Sequence, residues 1–261
     1  MAKFLFITDL DNTFVGDDAA MAHLSEQLIQ HRQQHGTTIV YSTGRSLISY
    51  QQLQAEKQLI EPDALVTGVG TAIYRRGHAQ PDTAWAEILS QDWNREQVWA
   101  IASQFDDLTP QPDAEQGPFK VSFFLSEFAA SVLPRLKQTL ADEGLAVKVI
   151  YSGGKDLDLL PIQADKGLAM TFVRETFGFE PQRTVACGDS GNDRALFDNR
   201  AEHGIIVGNA MSELLEWHHQ NPASHRYLAK GHCAAGILEG LSHFGFLPVG
   251  AIASKSAGVM F

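Results

Sequence analysis

The first third of the chain alternates short apolar runs of β type with helical periods, an order that leaves few folds open. Phe4 to Thr8 is a run of β-forming residues that stops abruptly at Asp9. Ala19 to His35 carries Met21, Leu24, Leu28 and Ile29 at helical spacing, with Gly36 where a C-capping glycine belongs. Thr37 to Tyr41 then reads as a strand, Ser46 to Leu59 as a helix and Ala64 to Val66 as a strand. A β-α-β-α-β order predicts a parallel sheet covered by helices on both faces.

From about Thr83 the pattern changes. Two helical stretches, Thr83 to Leu89 and Glu96 to Phe105, lead through a polar segment from Asp106 to Pro118. Strand-like Lys120 to Leu125, an amphipathic helix Ala129 to Glu143 and the β-rich runs Ala146 to Tyr151 and Asp156 to Leu160 follow. These suit an α+β unit with an antiparallel sheet. After Pro161 the α/β alternation resumes with helix Lys166 to Phe177, strands Arg183 to Cys187 and Gly204 to Val207, and helix Met211 to His219. The fold class expected is therefore α/β: a doubly wound parallel-sheet core, residues 1–81 and 162–261, with an inserted α+β cap at 82–161. A length of 261 residues accommodates such a two-part body. The stretch Ala251 to Phe261 is expected to fray.

A formal net charge of -11 opposes nonspecific binding to nucleic acid or anionic lipid, so an anionic ligand must be captured locally by placed cations or a metal. Only Cys187 and Cys233 are present, too few for a disulfide framework or a four-ligand zinc site. The apolar run near the N-terminus falls far short of a signal peptide or a membrane span. A cytoplasmic protein, with no nucleic-acid or membrane partner, is the expectation.

Ligands of open parallel sheets bind beyond the carboxyl ends of the strands, and four polar clusters are expected there. They are Asp9-Leu10-Asp11-Asn12-Thr13, Ser42-Thr43-Gly44-Arg45, Lys166 at a helix start, and Gly188-Asp189-Ser190-Gly191-Asn192-Asp193. Each taken singly also suits a turn, a helix cap or a solvated surface. Together, in this order, they form a constellation for phosphoryl transfer. A carboxylate, with an ordinary pKa of about 3.9, is ionised at neutral pH and can attack phosphorus directly. Asp9 is the candidate nucleophile and Asp11 the candidate acid and base. Carboxylates around a phosphate dianion repel unless a divalent cation joins them, which points to Mg2+ at Asp9 and Asp189, with a backbone carbonyl near Asp11 and with Asp193 as a further ligand or a group that orients bound water. Thr43, Gly44, Arg45, Asn192 and Lys166 are the candidate phosphate contacts.

At these residues the chain resembles the haloacid dehalogenase superfamily. More narrowly, Asp9-Leu-Asp-Asn-Thr-Phe-Val-Gly-Asp17, Ser42-Thr-Gly-Arg-Ser46, Ser152-Gly-Gly-Lys-Asp-Leu-Asp-Leu-Leu-Pro161, Cys187-Gly-Asp-Ser-Gly-Asn-Asp193, Val207-Gly-Asn-Ala210 and Ala234-Ala-Gly-Ile-Leu-Glu-Gly-Leu241 resemble the sucrose-6-phosphate phosphatases of cyanobacteria and plants. The resemblance implies a Rossmann-like core, a cap of the second class, magnesium dependence and release of sucrose. It leaves open phosphatases of mannosyl- or glucosyl-phosphoglycerate, which share the architecture, and docking to sucrose-phosphate synthase.

Sugar recognition falls to the cap. Lys120 and Ser122 alternate on one strand, as do Asp156 and Asp158, which suits either sugar contacts or a solvated strand face. Gly68, Gly70 and Thr71 form a Gly-rich turn at the same end of the sheet, where substrate could approach backbone. The ten His show no metal-binding spacing, Cys187 reads as a small buried strand residue, and the four Trp read as packing with a sugar-stacking role open for one in the cap. A phosphomutase and a non-catalytic accessory module of a sugar-phosphate synthase are the rival readings. A silent module has no physical need of so many mutually repelling carboxylates.

Overall fold

The computed structural model of the protein describes residues 2–248; the Ala251 to Phe261 tail lies outside the described residues. Its central strand, β1 (Leu5–Thr8), has no solvent exposure at any position, which is why it is apolar on both faces rather than alternating. Before the insert come α1 (Asp18–His35), β2 (Thr38–Ser42), α2 (Leu47–Lys57), β3 (Ala64–Thr67) and β4 (Ala72–Arg75). The middle of the chain forms α3 (Thr83–Ser90), α4 (Arg95–Ala102), β5 (Thr109–Pro110), β6 (Val121–Phe124), α5 (Leu133–Asp142), β7 (Val147–Ser152) and β8 (Asp156–Pro161). The last part supplies α6 (Lys166–Thr176), β9 (Thr184–Gly188), β10 (His203–Ile206), α7 (Ser212–Gln220), β11 (Arg226–Leu228) and α8 (Cys233–His243).

The strands make a seven-stranded sheet in the order β11-β10-β9-β1-β2-β3-β4 and a four-stranded sheet in the order β5-β6-β8-β7. The large sheet is parallel except for β4, which runs antiparallel to β3 at the edge. Thr8 is level with Tyr41 on β2 and with Cys187 on β9, so the loops that follow these three strands leave the sheet side by side. That register places Asp9, Thr43 and Asp189 at one end of the sheet. The small sheet is antiparallel throughout, with Ser122 opposite Asp158 and Phe124 opposite Asp156.

One apolar cluster lies on each face of the large sheet, and a third, around Val121, Phe123, Leu136, Leu157 and Leu159, lies under the small one. Among the described residues, no helix is long and apolar enough to cross a membrane.

Several elements depart from the sequence reading. The stretch read as one helix from Ala129 is a 3₁₀ turn, Glu127–Val132, followed by α5. Pro134 sits in the first turn of α5, where its missing N–H costs nothing and its fixed φ favours a helix start. The strands β5 and β11, of two and three residues, are too short for periodicity to reveal, and β4 also escapes the sequence reading. Helix α3, assigned to the insert, packs Trp85 and Leu89 into the cluster beneath the large sheet, with the Trp85 Nε1–H donating to the Gly70 carbonyl at 3.0 Å.

Candidate active site

Asp9 continues β1 by one residue, its N–H donating to the Cys187 carbonyl at 3.0 Å, and its carboxylate enters a site where little is exposed. Lys166 meets it from the first turn of α6. Asp165 caps that helix by accepting the Leu168 N–H at 2.6 Å, which fixes where Lys166 leaves the backbone. The Lys166 side chain is fully buried, and Nζ donates to Asp9 Oδ1 at 2.6 Å and Asp193 Oδ1 at 2.7 Å. Burial opposes its charge, but Asp193 and Asp9 more than offset that and hold the ammonium above its ordinary pKa.

The loop after β9 brings the other carboxylates. Asp193 Oδ2 accepts the N–H groups of Asp189 and Ser190 at 3.0 and 3.1 Å, the latter as one half of a capping box with Ser190, and so pins the loop. Asp189 Oδ1 accepts from the Thr13 hydroxyl at 2.9 Å, tying this loop to the one after β1. One oxygen from each of Asp9, Asp189 and Asp193 lies within 4.8 Å of the others. Burial is the first cause that raises Asp9 well above the carboxylate range, against the pull of Lys166 and with the push of Asp193 and Asp189. Burial and then Asp193 push Asp189 up to about 7.

Three carboxylates facing one ammonium leave an excess negative charge that a divalent cation would neutralise. The oxygens divide the work. Asp193 spends Oδ1 on Lys166 and Oδ2 on backbone, whereas Asp9 Oδ2 and Asp189 Oδ2 have no hydrogen-bond donor among the described residues. The donor set therefore fits a hard cation held chiefly by Asp9 and Asp189, with Asp193 orienting the lysine and the loop.

Asp11 is not brought into this carboxylate group. Its side chain is 45% exposed and is gripped by Arg45, whose Nε and Nη2 donate to the two Asp11 oxygens at 2.7 Å each. Arg45 is itself braced by a 2.9 Å bond to the Ser49 hydroxyl. The Asp11 side chain is thus turned to the guanidinium, which leaves its backbone carbonyl as the oxygen that this residue could offer a metal.

A cavity of about 610 Å³ opens above the carboxylates, with Asp9, Asp11, Gly44, Arg45, Asp189 and Asn192 on its floor and residues of the small sheet on its roof. Its size is that of a small-molecule site. Asn192 carries a buried Oδ1 with no hydrogen-bond partner among the described residues. Thr43 is fully buried, its Oγ1 accepting the Arg45 N–H at 3.1 Å.

On the roof, Lys120, Asp156 and Asp158 face the cavity. Ser122 does not: it is fully buried and donates to Asp158 Oδ1 at 2.6 Å, so it holds the carboxylate in place. Lys120 Nζ lies 3.3 Å from that same oxygen and 3.4 Å from the Gly44 carbonyl, joining roof to floor.

The expected substrate approach at Gly70 and Thr71 is corrected as well. Gly70, at φ +97°, packs so closely on the next segment that an added Cβ would lie 2.4 Å from the Asp165 carbonyl carbon and oxygen. Thr71 turns its hydroxyl back to the Gly68 carbonyl at 2.9 Å. None of the four Trp lines the cavity; its aromatic ring is Phe124, half-exposed on β6.

Gln111, Glu115, Lys155 and Met211 also line the cavity and escaped the sequence reading. Gln111 donates to Asp156 Oδ1 at 3.0 Å. It lies in an aperiodic polar connection, where pattern carries no signal, and only strand pairing brings it beside Asp156.

Solved structures at low identity share this fold of a doubly wound sheet with an inserted second sheet, among them a haloacid dehalogenase-like hydrolase protein of Bacillus subtilis at 20% identity and a TM-score of 0.64. Residues 2–245 match the family model of sucrose-6F-phosphate phosphohydrolase, and the chain belongs to that family. The sucrose-phosphatase of Synechocystis sp. PCC6803, solved with sucrose and phosphate, is 42% identical, with a TM-score of 0.89 over 94% of this chain and 99% of that one. The probable sucrose-phosphatase 2 of Arabidopsis thaliana is 40% identical over 93% of this chain, which spans 60% of the plant protein's length. The mannosylfructose-phosphate phosphatase of Agrobacterium fabrum is 31% identical over 94% of this chain and 98% of its own.

Proposed function

We propose that the chain hydrolyses the phosphate monoester of a disaccharide, sucrose 6-phosphate before others, through a phospho-aspartate at Asp9. The observation that carries this is Asp9 at the floor of a 610 Å³ cavity, held by a buried lysine beside two further carboxylates. A carboxylate oxygen of Asp9 attacks phosphorus as the bond from phosphorus to the sugar oxygen breaks, and Asp11 supplies the proton to that oxygen. Asp11 then takes a proton from water, which attacks phosphorus, releases inorganic phosphate and restores the Asp9 carboxylate. Because Arg45 occupies both Asp11 oxygens, the acid step requires Arg45 to exchange that carboxylate for an acceptor on the incoming substrate. Lys166, the Asn192 side chain and the backbone at Gly44 hold the phosphoryl group. Magnesium, bound by Asp9 and Asp189, would supply charge neutralisation to the phosphoryl oxygens.

In this reading the insert, residues 82–161, supplies the cap, with its first helix α3 packed on the core formed by residues 1–81 and 162–261. The choice of a disaccharide rests on the polar roof of Lys120, Asp156 and Asp158 and on the Synechocystis relative solved with sucrose and phosphate. The Agrobacterium relative gives mannosylfructose phosphate as the second candidate.

Phosphate release is to be measured with sucrose 6-phosphate, mannosylfructose phosphate, glucose 6-phosphate and fructose 6-phosphate, with magnesium and with EDTA. Preferred, magnesium-dependent release from sucrose 6-phosphate is expected, and loss of all release in Asp9→Asn with the fold retained. A higher kcat/KM for either hexose phosphate would overturn the disaccharide assignment, and substantial turnover by pure Asp9→Asn would remove the nucleophile.

A further inference from the structure

A carboxylate outside all four motifs bridges the two halves of the cleft. Glu213 stands in the first turn of α7 and is half-buried. Its Oε1 accepts the Gly153 N–H at 3.3 Å, from the hairpin between β7 and β8, and the Gly191 N–H at 3.4 Å, from the loop that carries Asp189, Asn192 and Asp193. One oxygen atom thus joins the tip of the roof to the metal-site loop.

Both ends of this bridge are well placed. The start of α7 is fixed to the loop, since the Met211 N–H donates to the Asp189 carbonyl at 2.7 Å, two residues before Glu213. On the other side, Gly153 and Gly154 adopt left-handed φ values of 59° and 66°, which turn the hairpin so that its amide faces the core. The hairpin also touches the loop directly. A Cβ at Gly191 would lie 3.3 Å from the Tyr151 carbonyl oxygen and 3.3 Å from Glu213 Cγ, so a larger residue would press the two surfaces apart by a few tenths of an ångström. Asp156, on the cavity roof, is three residues from Gly153, and Asn192, on its floor, is next to Gly191.

We propose that Glu213 is a positioning residue that registers the cap on the catalytic loop: by binding both amides it sets the sugar-facing residues over the phosphate-facing ones when the cleft is closed. The inference rests on the sugar-phosphatase reading given above. Both bonds are long for a charged acceptor and are readily broken, as release of a bulky product requires. A disaccharide ester, which must touch roof and floor together, depends on this registration more than does a small ester that occupies the floor alone.

The test compares wild type with Glu213→Ala and with Glu213→Gln, which keeps the acceptor oxygen without its charge. Amide exchange of Gly153 and Gly191 is read by nuclear magnetic resonance on glycine-labelled protein without substrate. Exchange at both glycines is expected to be about tenfold faster in Glu213→Ala and to be largely restored in Glu213→Gln. In parallel, the ratio of kcat/KM for sucrose 6-phosphate to that for p-nitrophenyl phosphate should fall about tenfold in Glu213→Ala, mainly through KM, and recover in Glu213→Gln. Unchanged exchange, or an equal decline for both esters, would overturn the proposal. If wild type hydrolyses neither ester, the functional reading fails, and the exchange data still decide whether Glu213 holds the two loops together.

Discussion

Lys166 is the most informative single position, because its fully buried ammonium is the partner of two buried carboxylates at 2.6 and 2.7 Å. Lys166→Met keeps the length and the apolar stem and removes the charge. Removing one partner from a buried ion pair costs about 3–5 kcal/mol, since the remaining charge stays desolvated and unpaired. At about 2–4 °C per kcal/mol for a protein of this size, melting should fall by roughly 6–20 °C near pH 7.5 without divalent ions. The sign of the pH dependence follows from the carboxylates. Burial already raises Asp9 well above the carboxylate range, and without the pull of the lysine it rises further, so the penalty is fully present above its folded pKa and vanishes as pH falls to the unfolded one. The gap between variant and wild type should therefore narrow on going to about pH 5. Magnesium supplies an alternative counter-charge, and at about a hundred times its Kd it should return about 2.7 kcal/mol. Scanning calorimetry at both pH values, with and without magnesium, measures all of this. A variant that melts within about 2 °C of wild type near neutral pH without metal would refute the argument, because two orphaned buried carboxylates cannot be so inexpensive.

Gly70→Ala should destabilise by about 2–5 kcal/mol in urea unfolding, because it combines a strained positive φ with a Cβ 2.4 Å from the Asp165 carbonyl; an unchanged midpoint would contradict that packing. Burial, aided by His35, lowers His31 to about 4, so the native state refuses a proton that the unfolded chain accepts. Its contribution is complete above about pH 6.5 and is lost as pH falls toward 4, up to about 3 kcal/mol, and His31→Gln should flatten the acid limb of the stability curve. Asp158→Ala and Lys120→Ala should each lower kcat/KM for sucrose 6-phosphate by about 1.5–3 kcal/mol, roughly 10–150-fold, and that for a small ester much less. Equal losses for the two esters would assign both residues to structure rather than to sugar recognition.

The alternation of apolar runs and helical periods determined the α/β class, because a strand buried on both faces must be apolar throughout and a helix must show its 3.6-residue period. It also placed Asp9, Thr43, Lys166 and Asp189 at strand ends or a helix start, and the parallel register carries three of them to one edge. What pattern could not convey is direction and partner. Asp11 is two residues from Asp9, yet its carboxylate leaves the acidic cluster for Arg45, a choice made by side-chain geometry across two loops. Ser122 and Asp158 alternate with apolar neighbours as a solvated or sugar-facing strand would, but cross-strand pairing seals Ser122 beneath Asp158. Gly70 reads as an open turn and is instead the floor on which the Asp165 backbone rests. Gln111 and Glu213 lie in no motif, since each acquires its contacts only when distant segments meet: Gln111 when β6 pairs with β8, Glu213 when the β7–β8 hairpin reaches the loop after β9. Local spacing fixes which residues share a face or an end of the sheet, whereas which of them touch depends on contacts between segments far apart in the chain, and those are decided by packing.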